Sequence, residues 1–171
     1  VAWLTLLVFV ALFSWIYLED SLQKHHDRAM VSTQNLAQVL DQQIENTYTR
    51  ANIALLTISD EFSRQKATGH IDDESFNRFI QRQHERSRVL TSLRVADAQG
   101  DTRWGTETSN SPTANMADRD YFIQHRDDPA TSLHISRPVQ GKISGKWVIV
   151  LSLRQNEADG RFAGVAYATI S

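Results

Sequence analysis

From Glu19 to Thr68 the chain contains neither glycine nor proline, and polar helix formers dominate the run. Little but a helix accommodates such a stretch. At 1.5 Å per residue, about 50 residues span roughly 75 Å, far more than the diameter of one domain. Apolar side chains recur at Leu36, Leu40, Ile44, Ala51, Leu55, Ile58 and Phe62, with Tyr48 in the gap, so spacings of three and four put one stripe on one face. Only part of that stripe can pack on a core of the same chain. The remainder, with the sparsely apolar stretch Glu19 to Thr33, predicts a stalk that pairs with a second copy as a homodimer. The alternative is one amphipathic helix lying along its own domain, and the two readings can hold for different parts. Gly69 supplies the stop.

Upstream, Val1 to Leu18 carries no charge, and Thr5 and Ser14 are its only strongly polar side chains. Such a helix nearly crosses a hydrocarbon core of roughly 30 Å. Trp15 and Tyr17 stand near its downstream end, where aromatic side chains meet a membrane interface. With no basic leader and no small-residue cleavage site, a transmembrane helix over 1–18 is expected rather than a signal peptide. The sequence starts at Val1 rather than Met, so an upstream piece is expected too. Net charge is −2 with a pI near 6.3, which leaves no field to gather nucleic acid. Cysteine is absent, excluding disulfide frameworks and thiolate metal sites.

A second helix should start at Asp72 or Asp73, with acidic side chains in its first turn, and end near Ser87. Val89 to Ala96 and Thr102 to Thr106 read as a hairpin around Asp97-Ala98-Gln99-Gly100. Ser132–Val139, Lys146–Arg154 and Phe162–Ile170 follow as three more strands. They are separated by Gly-Lys-Ile-Ser-Gly and Asn-Glu-Ala-Asp-Gly, the turn residues of antiparallel hairpins. Helices gathered at the front of five such strands, with no alternating βαβ order, imply an α+β fold with a five-stranded antiparallel sheet. The layout predicted is a transmembrane helix (1–18), a stalk helix (19–69) and a globular domain (70–171).

Candidate chemistry centres on Asp118-Arg119-Asp120-Tyr121-Phe122, just ahead of the three-strand meander. Closed over one face of the sheet, Arg119 would offer a fixed fork of donors to an anion, and Tyr121 and Phe122 would supply walls. A surface turn with both rings in the core is the alternative. His134 alternates with Ser136 on a strand and could line the same space, or be a hydrogen-bonded structural histidine. Gly141-Lys-Ile-Ser-Gly145-Lys146-Trp147 faintly echoes a phosphate-binding loop, but it is one residue short and has Trp where Ser or Thr belongs, so a hairpin turn explains it better. Adjacent His25 and His26 would diverge by about 100° on a helix, poor geometry for a metal. No nucleophile–base pair stands out, and neither a cofactor nor an enzyme activity is expected.

The order of elements resembles the Cache superfamily of extracytoplasmic sensors, also called PDC or PAS-like domains. The match is carried by Asp118-Arg119-Asp120-Tyr121-Phe122, Leu133-His-Ile-Ser136-Arg137-Pro138, Ser144-Gly145-Lys-Trp147, Asp159-Gly160-Arg-Phe162-Ala-Gly164-Val165 and, upstream, Arg94-Val-Ala-Asp97-Ala-Gln-Gly100. The resemblance implies a ligand caught between sheet and loop, with Arg119 on a ligand carboxylate, Tyr121 and Phe122 as aromatic walls, and Asp120, His134 and Ser136 in the site. Amino-acid-binding members carry a Tyr and an Asp where this chain has His134 and Ser136. They also carry an Asp on the last strand, near Ala168 or Thr169 here. A buried ammonium without a carboxylate costs several kcal/mol, so the resemblance implies a small organic acid and disfavours an α-amino acid.

Such sensors precede diguanylate cyclases, histidine kinases and chemoreceptors, and this variant looks most like those preceding the first two. The expected function is therefore a periplasm-facing sensor module of a bacterial inner-membrane signalling protein, relaying ligand binding through the stalk. A second module is expected beyond Ser171. The rival reading is a membrane-anchored coiled-coil structural protein with an inert globular cap. A tethered hydrolase has only isolated Ser and His residues behind it.

Overall fold

A computed structural model of the chain describes Trp3, residues 38–108 and residues 114–171. The chain divides into two compact units, Val1–Asn46 and Thr47–Ser171. In the first unit, residues 38–46 are helical. The expected transmembrane segment lies outside the described residues apart from Trp3, as do Glu19 to Thr33 and His25-His26. No helix among the described residues is long and apolar enough to cross a membrane.

In the second unit, residues 47–67 form helix α1. The apolar stripe splits in two. Ala51, Leu55, Ile58 and Phe62 are buried, whereas Leu40, Ile44 and Tyr48 are 51 %, 68 % and 40 % exposed. Helix α2, Asp73–Arg86, starts where its acidic first turn predicts, because the Asp72 side chain accepts from the N–H groups of Glu74 and Ser75. It turns Phe76 and Ile80 inward. Phe62, Phe76 and Trp104 meet ring to ring, with centroids 5.7–6.1 Å apart and edge-on or tilted geometry.

The sheet has six strands: β1 Ser92–Asp97, β2 Thr102–Gly105, β3 His134–Ile135, β4 Val139–Gln140, β5 Trp147–Asn156 and β6 Phe162–Ile170. Its order is β2-β1-β6-β5-β3, with β4 also paired to β5 and every pairing antiparallel. Side chains alternate across it. Leu93, Val95, Leu151, Ala166 and Ala168 join the core with α1 and α2. Val148, Val150, Val165 and Tyr167 face the other way, into a second core with Met116, Tyr121 and Phe122.

Two expectations change in detail. The strand expected over Ser132–Val139 is two short pieces, giving six strands rather than five. Pro138 has no N–H for a ladder. At Ser136 the hydroxyl replaces a backbone partner, accepting from the Val150 N–H at 2.9 Å. The stretch around Arg119 also contains a helix that the sequence does not announce, α3, Asp120–Asp127. Its N-cap is Arg119, with no side-chain cap hydrogen bond, so the usual start signal is missing. Burial of Tyr121, Phe122 and His125 against the sheet holds it in place.

Candidate functional site

The space between α3 and the sheet contains two neighbouring hollows that share Arg119, Tyr121 and Val139. The inner one, about 120 Å³, is floored by Ser92, Arg94, Tyr167 and Thr169. Alternation on β6 explains the floor: Tyr167 and Thr169 face the cavity while Ala166 and Ala168 lie in the core with α1. The outer one is a recess of about 470 Å³ beside Asp118, Asp120, Gln124, His134, Ser136 and Arg137.

The roof is the turn between β4 and β5, pinned to the segment ahead of α3 by two cations. Lys142 Nζ donates to the Asn115 carbonyl at 2.8 Å and to Asp118 Oδ1 at 2.5 Å. The Lys142 ammonium holds the Asp118 carboxyl below the usual carboxylate range. Arg119 Nη2 donates to the Gln140 carbonyl at 2.8 Å. That is the side chain's one hydrogen bond among the described residues, so most of the donor fork stays available to an anion. Tyr121 and Tyr167 stand with ring centroids 6.0 Å apart. Burial pushes both phenols upward, so both remain neutral hydrogen-bonding groups.

Five of the six residues singled out in the sequence line one hollow or both: Arg119 and Tyr121 line both, and Asp120, His134 and Ser136 line the recess. The Ser136 hydroxyl is engaged by backbone, accepting from Val150 N–H and donating to the Arg137 carbonyl. Phe122 lines neither. It is 1 % exposed and packs edge-on against Phe162 at 5.4 Å. Successive helical residues point about 100° apart, so Tyr121 and Phe122 cannot both wall one cavity from α3.

Arg94, Glu107, Tyr167 and Thr169 are cavity residues that sequence reasoning missed or left unassigned. A charge in the middle of the apolar run Leu93-Arg94-Val95-Ala96 was the available signal, because alternation turns it away from Leu93 and Val95. Gly105 gives Arg94 its path. Paired opposite Arg94, it has φ +136, and a Cβ there would lie 2.7 Å from Arg94 Cγ.

Behind Phe122, His125 is fully buried, with Nε2 3.0 Å from Ser152 Oγ and Nδ1 without a partner among the described residues. Ser152 Oγ also reaches the His134 carbonyl, at 3.5 Å. That arrangement places the proton on Nε2 and leaves a bare lone pair on Nδ1, cheaper than an unpaired N–H. Although a Ser beside a His suggests a nucleophile and base, both are buried and neither lines either of the two hollows. Among the described residues no three His, Cys, Asp or Glu side chains could together hold a metal ion.

Burial, then the charges of His134 and Arg154, lower the His125 pKa from 6.5 to about 4. The unfolded chain therefore takes up a proton between those values that the folded chain refuses. This contribution is full above pH 6.5 and is lost as pH falls towards 4, amounting to about 3 kcal/mol. Thermal melts of wild type and His125→Gln from pH 7 to 4.5 should show the variant losing less stability with acidification. Parallel curves would contradict a buried neutral imidazole.

No family model matches the sequence, and no curated protein matches it significantly. Solved structures do match. The extracellular domain of rpHK1S-Z16, a protein assigned as a histidine kinase, is 29 % identical with a TM-score of 0.60, over 80 % of this chain and 58 % of that one. The ligand-binding domain of the Campylobacter jejuni chemoreceptor Tlp3, in complex with 4-methylisoleucine, is 10 % identical with a TM-score of 0.61, over 78 % of this chain and 54 % of that one. The ligand-binding domain of Mlp24 with asparagine is 11 % identical with a TM-score of 0.57, over 85 % and 57 %. This chain thus spans little more than half the length of these neighbours.

These neighbours are extracellular or ligand-binding domains, and the Cache-type resemblance read from the motifs holds at the level of the fold. The expectation that an α-amino acid is disfavoured is overturned. The Tlp3 domain is seen with isoleucine, L-valine and L-norvaline, and the Mlp24 domain with asparagine. The physical premise was incomplete as well. Thr169 does stand on the cavity without an acid, but Glu107 places a carboxylate on the same wall.

Proposed function

We propose that this chain is the extracytoplasmic sensing module of a bacterial inner-membrane signalling protein of the histidine kinase or diguanylate cyclase type. Its ligand is a small carboxylate-bearing metabolite, an organic acid or an amino acid, held in the inner cavity. Arg119 takes the carboxylate, and Tyr121 and Tyr167 enclose the body. The observation that carries this reading is the Arg119 guanidinium on the cavity wall with one backbone carbonyl as its partner. Each water-sized site needs roughly 10–15 Å³, so the cavity suits a ligand of about eight to twelve heavy atoms.

The relay follows from the alternation on β6. A ligand pressing on Tyr167 and Thr169 acts on the same strand whose Ala166 and Ala168 pack with α1. It shifts the helix if it binds two arrangements of the roof with different affinity. The layout that serves this is an anchor over 1–18, a stalk over 19–69 and a sensor over 70–171.

A thermal-shift screen of the chain against organic acids and amino acids tests the reading. At a hundred times its dissociation constant a ligand adds about 2.7 kcal/mol, a rise of about 5 °C or more for a domain of this size. A broad panel in which nothing raises the Tm would favour an inert cap.

A further inference from the structure

A second guanidinium, that of Arg94, forms part of the inner cavity floor although Arg94 is only 4 % exposed. Its Nε donates to the Thr106 carbonyl at 2.9 Å and its Nη1 to Ser92 Oγ at 2.9 Å, both buried partners. Its charge is balanced at Nη2 by Glu107 Oε2, 3.1 Å away. That pair is lopsided: the Arg94 side chain is 5 % exposed and the Glu107 side chain 72 %. Glu107 also has φ 61, a left-handed backbone uncommon for a glutamate. A buried cation cannot do without an anion, whereas an exposed carboxylate returns to water at little cost. An anion entering through the cavity could take Nη2 while the buried partners stay in place. Charge points the same way: with Lys142 paired to Asp118, Arg94, Arg119 and Lys146 still line the cavity against one acid, Glu107, among the described residues.

We propose that the inner cavity takes a ligand with two carboxylates, one on Arg119 and the other on Arg94 in place of Glu107. This rests on the assignment of that cavity as the sensing site. Short dicarboxylates and acidic α-amino acids share this chemistry. The amino acid adds an ammonium that the displaced Glu107 carboxylate is placed to accept.

Calorimetric titration of the whole chain with succinate, L-aspartate, propionate and L-isoleucine tests it. At least one of the two dicarboxylates should bind about tenfold or more tighter than propionate, the gain of one further charge-assisted contact. Glu107→Gln leaves the buried Arg94 cation without its anion, so the unliganded chain should melt lower, succinate should tighten severalfold and propionate should move much less. A loss for aspartate in that variant, beside the gain for succinate, identifies the amino acid as the better-matched source. Propionate binding as well as both dicarboxylates, or Glu107→Gln moving succinate and propionate alike, would overturn the second anchor. L-isoleucine binding that needs Arg119, with neither dicarboxylate bound, sinks the second anchor and leaves the sensing site standing. No ligand that depends on Arg119 sinks both.

Discussion

Arg119→Ala should weaken ligand binding by about a hundred-fold or more, because a carboxylate in the cavity loses two charge-assisted hydrogen bonds, roughly 3 kcal/mol. The fold should tolerate the change. Arg119 is only half-buried, and its side chain's one hydrogen bond among the described residues goes to an exposed residue's carbonyl. Lys142 still ties the roof down through Asn115 and Asp118. Arg119→Lys keeps the charge without the fork and should recover part of the affinity. Titration alongside a melt without ligand checks this: affinity falls while the unliganded Tm stays within a degree or two. Equal affinity in wild type and Arg119→Ala would remove Arg119 from the site.

The largest expected loss of stability lies on the opposite side of the sheet. Phe62→Ala should cost about 3–5 kcal/mol. Phe62 is 1 % exposed and joins α1 to Phe76 of α2 and Trp104 of β2, so the hole opens where three elements meet. Against a domain stability of roughly 5–15 kcal/mol, that is a large fraction. Urea unfolding should show the midpoint falling with little change in slope. Ile53→Ala on the same helix, 58 % exposed, serves as the control and should move stability by less than about 0.5 kcal/mol. A Phe62→Ala loss below about 1 kcal/mol would mean that α1 is not anchored to the sheet at this point, and the relay through it would fail too.

Features decided within a few residues were readable from the sequence. Asp72 and the acidic turn after it mark the start of α2. The turn after Asp97 is set by its own carboxylate, which accepts from the N–H groups of Gln99 and Asp101. The Gly141–Gly145 segment is a hairpin turn, closed by Gly141 N–H to the Lys146 carbonyl and Gly145 N–H to the Gly141 carbonyl.

Features decided by distant partners were not readable. Helix α3 has no cap and forms because Tyr121, Phe122 and His125 find the sheet. Arg94 becomes a cavity residue through Ser92, Thr106 and Glu107, the last of these 13 residues downstream. The Ser136 hydroxyl stands in a ladder with Val150, 14 residues away. Cavity lining depends on such long-range pairings, so Glu107 could not be placed beside the hollow from its neighbours in sequence.

A crystal structure of the chain with the strongest ligand of the panel tests the central claim most directly. A carboxylate is expected within about 3 Å of the Arg119 guanidinium nitrogens, inside the inner cavity between Tyr121 and Tyr167. A ligand seated wholly in the outer recess by His134, or an Arg119 side chain turned out into solvent while the ligand is bound, would contradict it.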